Sequence, residues 1–359
     1  SLRRQRQMCI RDRDKDLFQL VKLAQDLQQR VVDLEKTNQV LIRSNKQLIE
    51  WVQETIEELQ DYKENARFEL QDEIETNQDY WFPHIERGQI AIEHIIKDGC
   101  SMARFGDGEF AVIEGRIRHK FQTEEDDNLA KRLKEVLQNP QENLLIGIAD
   151  NYGSLERYND QAKREIRRYL KREVRKEHLS LLNKNIVYYD AYVTRPYVMY
   201  ADNMTNAPIH RFENLKKIWN NKKCVFVEGK QTRLGVGNDL FQNTKSIKRI
   251  LAPAENAFEA YDKILEECLK QGKENLFLLA LGPTATVLAY DLCRQGFQAI
   301  DVGHVDLEYE WFLRGEGQRT YVEGKYNNEL NGGEHPADVK DPWYEAQIVA
   351  DISESRVYN

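Results

Sequence analysis

The chain has 359 residues, 41% of them apolar and 31% charged, with a formal charge of −8. That is longer than one average core needs, and the high charge points to a solvated element beside an ordinary globular body. Net acidity argues against general nucleic-acid binding, and no apolar run approaches the ~20 residues that cross a bilayer; five cysteines with no CxxC pair argue against a zinc ribbon or disulfide framework and for a reduced, cytoplasmic protein.

Residues 1–13 (SLRRQRQMCIRDR) have neither an apolar h-region nor a helical period. They read as a translated adaptor upstream of the true frame, a non-native leader to be set aside together with Cys9. From Leu17 the period is seven. Leu20, Leu27, Leu34, Leu41 and Leu48 form one seam, and Leu17, Ala24, Val31, Asn38, Asn45, Val52 and Leu59 the other. Leucine at d with valine and asparagine at a suits a parallel two-stranded coiled coil, in which buried asparagines fix the register. A coiled coil over 14–76 and a homodimer are therefore expected. Val21, Ile42, Ile49 and Ile56 widen the apolar face, which keeps open three strands or a helix folded back on its own domain.

Beyond Trp81-Phe82-Pro83 the composition becomes globular. Strands are predicted at Ser101–Phe105, Asn143–Ala149, Asn185–Tyr189, Lys223–Val227, Ser246–Leu251, Asn275–Leu281 and Phe297–Val302. Helices are predicted at Asp127–Leu137, Gln161–His178, Glu255–Gln271 and Thr284–Gln295. This alternation implies right-handed crossovers and a mostly parallel, Rossmann-like α/β sheet. Residues 80–353 read as one domain and 354–359 as a tail.

In such sheets ligands bind beyond the carboxyl ends of the strands. Four predicted strands deliver polar or glycine-rich residues there. Gly106-Asp107-Gly108-Glu109 offers two carboxylates at a tight turn, suited to a hard cation such as Mg²⁺ or Mn²⁺, with Arg104 placed to pair with phosphate; an ordinary acidic turn is the alternative. Gly282-Pro283-Thr284-Ala285-Thr286 opens a helix with hydroxyls and free N–H groups, an anion site suited to a diphosphate, or else a simple N-cap. It is no Walker A loop, because no Gly-Lys-Ser/Thr follows. His304 and Asp306 could supply a ligand, a phosphate donor or a base, with Asp301 and Glu308 close in sequence; a structural histidine is equally open. Arg233, Asn238 and Asp239 could read a nucleotide or acceptor, or stabilise an irregular loop. Gly235-Val-Gly237 lacks a third glycine, which argues against a dehydrogenase. The basic run Lys163–Lys176 could meet an anionic surface, although such runs are usually solvated faces.

Ala103–Phe110, Val227-Glu-Gly with Arg233–Leu240, Leu281–Leu288 and Asp301–Tyr309 together resemble the signature blocks of the GT-D glycosyltransferases, in the same order. The resemblance covers about Tyr80 to Ile352 and leaves the coiled coil outside. It implies a Rossmann-like fold distinct from the commoner transferase folds, a UDP-sugar donor (glucose favoured), and a divalent metal held by an Asp-x-Glu motif, here Asp107 and Glu109. Carried further, Arg104, Gly106, Arg233, Asn238, Asp239, Gly282, Thr284, Thr286 and His304 are candidates for donor and phosphate, and Asp306, Glu308 or Glu228 for a base. The expected acceptor is a glycan, glycoprotein or lipid-linked sugar in bacterial surface glycosylation, with the enzyme in the cytoplasm or at the inner membrane face. A coiled-coil scaffold that binds nucleotide sugar without turnover and a nucleotide-sugar hydrolase are the competing readings.

Overall fold

The computed structural model describes residues 2–74, 81–116, 122, 126–327, 329, 330, 333, 336 and 340–354, with side chains in the first stretch for 17–60, 62 and 63. The side chains of residues 1–13, the predicted end of the coiled coil at 76, the domain start at 80 and the tail past 354 lie outside these residues. The chain divides into two units, Ser1–Lys63 and Glu64–Asn359.

The first unit belongs to a single helix, α1 (Leu2–Ile74). No glycine or proline interrupts Asp14–Asn77, and the helix also runs through residues 2–13 of the stretch set aside on composition. Leu20, Leu27, Leu34, Leu41 and Leu48 are all more than half exposed in the single chain. Among the described residues no helix is long and apolar enough to cross a membrane.

The second unit is built in the order β1 (Ile85–Glu86), α2 (Gly88–Lys97), β2 (Ser101–Phe105), α3 (Asp107–Ile113), α4 (Asp127–Gln138), β3 (Leu144–Ile148), α5 (Asp160–Tyr169), α6 (Arg172–Leu181), β4 (Tyr188–Asp190), α7 (Ala207–Lys216), β5 (Lys223–Gly229), β6 (Ser246–Ala252), α8 (Tyr261–Leu269), β7 (Leu276–Ala280), α9 (Pro283–Arg294), β8 (Gln298–Asp301), α10 (Val305–Arg314), α11 (Pro342–Gln347) and β9 (Ile348–Asp351). The strands form one sheet in the order β1-β4-β3-β2-β8-β7-β5-β6-β9, and every pairing is parallel. All seven predicted strands are present, and β1 and β9 extend the sheet at its edges. From β2 the chain winds outward through β3 and β4; β5–β9 occupy the other side. The two halves meet between β2 and β8, where Met102 registers with Ile300. That reversal is the switch point where open α/β sheets hold their ligands.

Both faces are buried, as a parallel sheet demands. Along β7, Phe277 and Leu279 enter one core with α4, α8 and α9, while Leu276 and Leu278 enter the other with α2, α7 and α10. Each such fully buried side chain contributes roughly 1.5–3 kcal/mol. Two predicted helices are divided. The 161–178 stretch breaks at Leu170-Lys171, where Leu170 turns inward to 1% exposure. The basic run Lys163–Lys176 is therefore split between two helices, and its Arg175 is buried and donates to the Tyr152 carbonyl at 2.6 Å. The 255–271 stretch starts as a 3-10 turn (Ala257–Ala260) after left-handed Asn256.

Candidate active site

A cavity of ≈ 360 Å³ lies over the carboxyl ends of β4, β3, β2, β8 and β7. Two helices begin at its wall. Gly282 ends β7 with φ +54 and ψ −143, a conformation essentially closed to residues with a Cβ, and Pro283 then opens α9. Gly303 follows β8 with φ +46, and α10 starts after His304. Helix N-termini carry partial positive charge, so this wall favours an anion. Among the described residues no three His, Cys, Asp or Glu side chains are grouped so as to hold a metal by themselves.

Arg104 stands at the seam. Its Nε and one terminal nitrogen donate to the Asp301 carbonyl and carboxylate, both at 2.8 Å, and the other terminal nitrogen to the Ala191 carbonyl at 3.2 Å. The guanidinium fills the space above Gly303 where a side chain would begin. Arg104 lines the cavity, with its nitrogens already tying β2 to β8 and to the turn after β4. Burial raises the pKa of Asp301 against the pull of Arg104.

Asp107 and Glu109 do not lie in a tight turn. They are the first and third residues of α3, where side chains two apart do not share a face. Glu109 folds back so that Oε2 accepts the Gly106 N–H at 2.7 Å, and burial raises its pKa. Asp107 is exposed; burial first and then the charge of Asp107 raise the pKa of Tyr192 across the cavity, and against burial Glu329 above all, with Asp107 a lesser contributor, raises that of Arg195. Both carboxylates line the cavity. The pair fits a hard cation of the Mg²⁺ or Mn²⁺ type only if substrate phosphate and water complete its shell.

Several sequence candidates turn out to hold the loop walls. Thr284 and Thr286 are buried outside the cavity lining, and Thr286 Oγ1 donates to the Arg104 carbonyl at 2.8 Å. Glu228 is fully buried, pairs with Arg249 and accepts the Leu234 N–H at 2.7 Å. Asp306 reaches the lining with both oxygens engaged: Oδ1 accepts from Gly235 N and Asn238 Nδ2 at 3.0 and 2.8 Å, and Oδ2 from Lys325 Nζ at 2.6 Å. Asn238 also donates to Glu310 at 2.7 Å, Asp239 accepts from Lys216 and Tyr309 at 3.1 and 2.6 Å, and left-handed Arg233 donates to the Gly324 carbonyl at 2.5 Å. None of Glu228, Arg233, Asn238 and Asp239 lines the cavity.

Glu308 is different. Its Oε2 accepts the N–H groups of Tyr197 and Val198 at 3.0 and 2.9 Å, while Oε1 takes no hydrogen bond from a described residue. Burial pushes its pKa up against Arg195 and the backbone N–H groups. Nearby, His304 Nδ1 lies 3.0 Å from an Arg195 terminal nitrogen and 2.8 Å from Glu329 Oε1; it can accept from the first or donate to the second. Glu329 also pairs with Arg195 and, at 2.7 Å, with Arg319. Burial lowers the pKa of His304 and would raise that of Glu329, but Arg195, His304 and Arg319 together hold Glu329 well below the carboxylate range. Sequence reading passed over Arg195, Glu329, Arg319, Tyr192 and Asn151. The rule that found the others would have found three of them, because Asn151 follows β3 and Tyr192 and Arg195 follow β4.

An α/β sheet with a switch-point cavity, two helix N-termini in its wall and a carboxylate pair at its rim is an arrangement suited to a phosphate-bearing ligand. The family model for the glycosyltransferase GT-D fold matches residues 102–330, and the chain belongs to that family. It is 35% identical over 266 residues to a probable glycosyl transferase of Streptococcus gordonii, covering 74% of this chain and 38% of that protein. It is 34% identical over 267 residues to the glycosyltransferase GlyD of Streptococcus pneumoniae serotype 4, covering 73% of this chain and 31% of that protein. The chain thus matches well under half the length of these relatives. Among solved structures it resembles a glycosyltransferase (DUF1792) from Streptococcus sanguinis, with TM-score 0.70, 32% identity, and 75% and 99% of the two chains covered. A structure described as the domain of unknown function 1792 with a distinct glycosyltransferase fold gives TM-score 0.69 and 35% identity, with 75% and 95% covered.

Proposed function

We propose that the cavity transfers a hexose, glucose favoured, from a UDP-sugar to a hydroxyl of a glycan, glycoprotein or lipid-linked acceptor. The observation that carries this reading is Glu308, a buried carboxylate whose Oε1 takes no hydrogen bond from a described residue, at the wall where α9 and α10 begin. In an inverting transfer the acceptor oxygen bonds to the anomeric carbon as the bond from that carbon to the diphosphate oxygen breaks. The leaving UDP takes the electron pair, and Glu308 takes the hydroxyl proton. Charge on the departing diphosphate is met by the helix N-termini and by Arg195. A divalent cation held by Asp107, with Glu109 supporting the start of α3, would neutralise that charge as a Lewis acid.

The exposed heptad leucines of α1 support a parallel coiled-coil homodimer. The expected setting is the cytoplasm, with a contact at the inner membrane face through the basic residues of α5 and α6 as an added element, in bacterial surface glycosylation.

The test is UDP release from a panel of UDP-sugars with Mn²⁺ or Mg²⁺ and then with EDTA, alongside binding of each donor. Turnover of one donor with metal, lost in Asp107→Ala, is the expected result. Folded protein that binds no UDP-sugar with metal present would end the transferase reading. Release at one rate with and without acceptor would make it a hydrolase.

A further inference from the structure

Seven carboxyl groups and only three guanidinium groups line the cavity. A diphosphate entering it is repelled unless some of that acid is neutralised or moved. Several of the seven are held in place: Asp301 by Arg104, Asp306 by Lys325 and Glu109 by the Gly106 N–H. Glu329 instead stands where an anion belongs. Its Oε1 pairs with Arg195 and lies 2.8 Å from His304 Nδ1, and its Oε2 lies 2.7 Å from Arg319 Nε. Two guanidinium groups and an imidazole converging on one pair of oxygens make a recognition set for phosphate. Here they hold a carboxylate of the chain itself.

This cluster is open to a ligand, as the ion pair of the closed wall is not. The side chains of Arg249 and Glu228 are 3% and 0% exposed, whereas those of Arg195 and Glu329 are 25% and 18% exposed and both line the cavity. Arg319 keeps its place without Glu329, because it also donates to both oxygens of Glu165, at 3.1 and 2.9 Å. Arg195 would then face the arriving anion. The chain is anchored just before Glu329. Lys325 is buried against Asp306 and Glu310 at 2.6 and 3.0 Å, and the Tyr326 N–H donates to the Gln231 carbonyl at 3.0 Å. Asn327 Oδ1 takes the Glu329 N–H at 3.0 Å. The carboxylate thus extends from a held backbone by its own rotatable bonds, and rotation about them carries it out of the position or back into it.

We infer that Glu329 is a resident competitor for the donor's diphosphate: it occupies the anion position in the free protein, withdraws when the nucleotide sugar binds and returns as UDP leaves, so that the product is held less tightly than the cations alone would hold it. The inference rests on the transferase reading, in which Arg195 must exchange Glu329 for the departing diphosphate. A lone carboxylate binds such a site weakly, but a tether this short gives it an effective concentration of about millimolar or above. That weakens a ligand severalfold without closing the site.

The test uses the full chain with Mg²⁺ and titrates UDP, inorganic pyrophosphate and uridine into wild type, Glu329→Gln and Glu329→Asp. Glu329→Gln keeps the shape and removes the charge. It should bind UDP and pyrophosphate two- to fivefold more tightly and uridine unchanged, because uridine has no anion to place between Arg195 and Arg319. Glu329→Asp, one methylene shorter, should fall between Gln and wild type, and it carries the test if the Gln variant fails to fold. During turnover, UDP should inhibit Glu329→Gln at a two- to fivefold lower concentration than wild type. Equal or weaker UDP binding by a folded Glu329→Gln would make Glu329 a strut for Arg195 and His304 and overturn the proposal. So would a gain shared by uridine. Pyrophosphate binding that tightens in Glu329→Gln, with no binding of UDP, would strike the transferase reading and leave Glu329 a competitor for another diphosphate. Binding of neither anion by wild type or variants would overturn both.

Discussion

The two walls of the cavity contrast in how their carboxylates are used. On the β5 and β7 side, Glu228 and Asp306 are closed: each of their oxygens is held by an arginine, a lysine, an asparagine or a backbone N–H. On the β4 side, Glu308 Oε1 takes no hydrogen bond from a described residue, and Glu329 sits across Arg195 and His304, the cationic and imidazole groups that an incoming anion would seek. The first wall is a frame for the loop 229–240. The second has groups that can change partner. A buried acidic residue at a strand end is thus no guide to reactivity until its hydrogen bonds are counted.

The largest effect expected from this contrast is at Glu308. Glu308→Gln should lower kcat by about 10²–10⁴ with UDP binding retained, the range for loss of a general base. The acid limb of the wild-type rate profile should lie above the usual carboxylate range, since burial raises this pKa and the base works only when ionised. An unchanged kcat would return Glu308 to the frame. On the closed wall the loss should appear in stability. Arg249→Met leaves Glu228 charged, buried and without its partner, and should cost about 3–5 kcal/mol in denaturant unfolding. Replacing both residues with apolar ones of similar volume should recover most of that loss.

A smaller effect concerns Asp190, which lies buried behind the β4 wall. Burial and the neighbouring Asp150 push its pKa up to about 7. The folded protein therefore holds a proton that the unfolded chain has already released, and stability from this group is lost as pH rises from about 4 to 7. Asp190→Asn should flatten that slope and raise the free energy of unfolding at pH 8 by up to about 4 kcal/mol at 1.36 kcal/mol per pKa unit; an unchanged slope would show that Arg157 already keeps Asp190 ionised. The smallest expected change is in Glu329→Gln, which removes the negative charge across Arg195 and His304. UDP should then bind two- to fivefold more tightly in a direct titration. Weaker binding would mean that Glu329 holds those two groups in place for the ligand.

The same contrast explains what could be read from the sequence. All seven predicted strands form, because parallel strands buried on both faces are short runs of apolar residues that need no partner to be visible. The short helices α3 and α10 are absent from the predicted helices because glycine and acidic residues signal a turn as readily as a helix start. Whether Asp107-Gly-Glu109 is a turn or a first helical turn is decided by the Glu109 bond to Gly106, which motif spacing does not contain. Arg195 and Glu329 are 134 positions apart and meet only because β4 and the segment after α10 end at the same edge. Nothing local marks Glu329, whereas Arg195 follows a predicted strand and was within reach of the rule already in use.

The order of the strands also has a consequence for how the molecule is assembled. One side of the β2–β8 boundary comes entirely from residues 85–190, the other from 223–351. The join closes contacts between residues some two hundred positions apart, Met102 with Ile300 in register and Arg104 with Asp301 by hydrogen bond. The ligand cavity straddles that join, so it is complete only when both sides are in place. A bound nucleotide would act as a staple across the two lobes, and hydrogen exchange at β2 and β8 should slow more on UDP addition than exchange at β3 or β6. Equal slowing throughout would show that the lobes open as one.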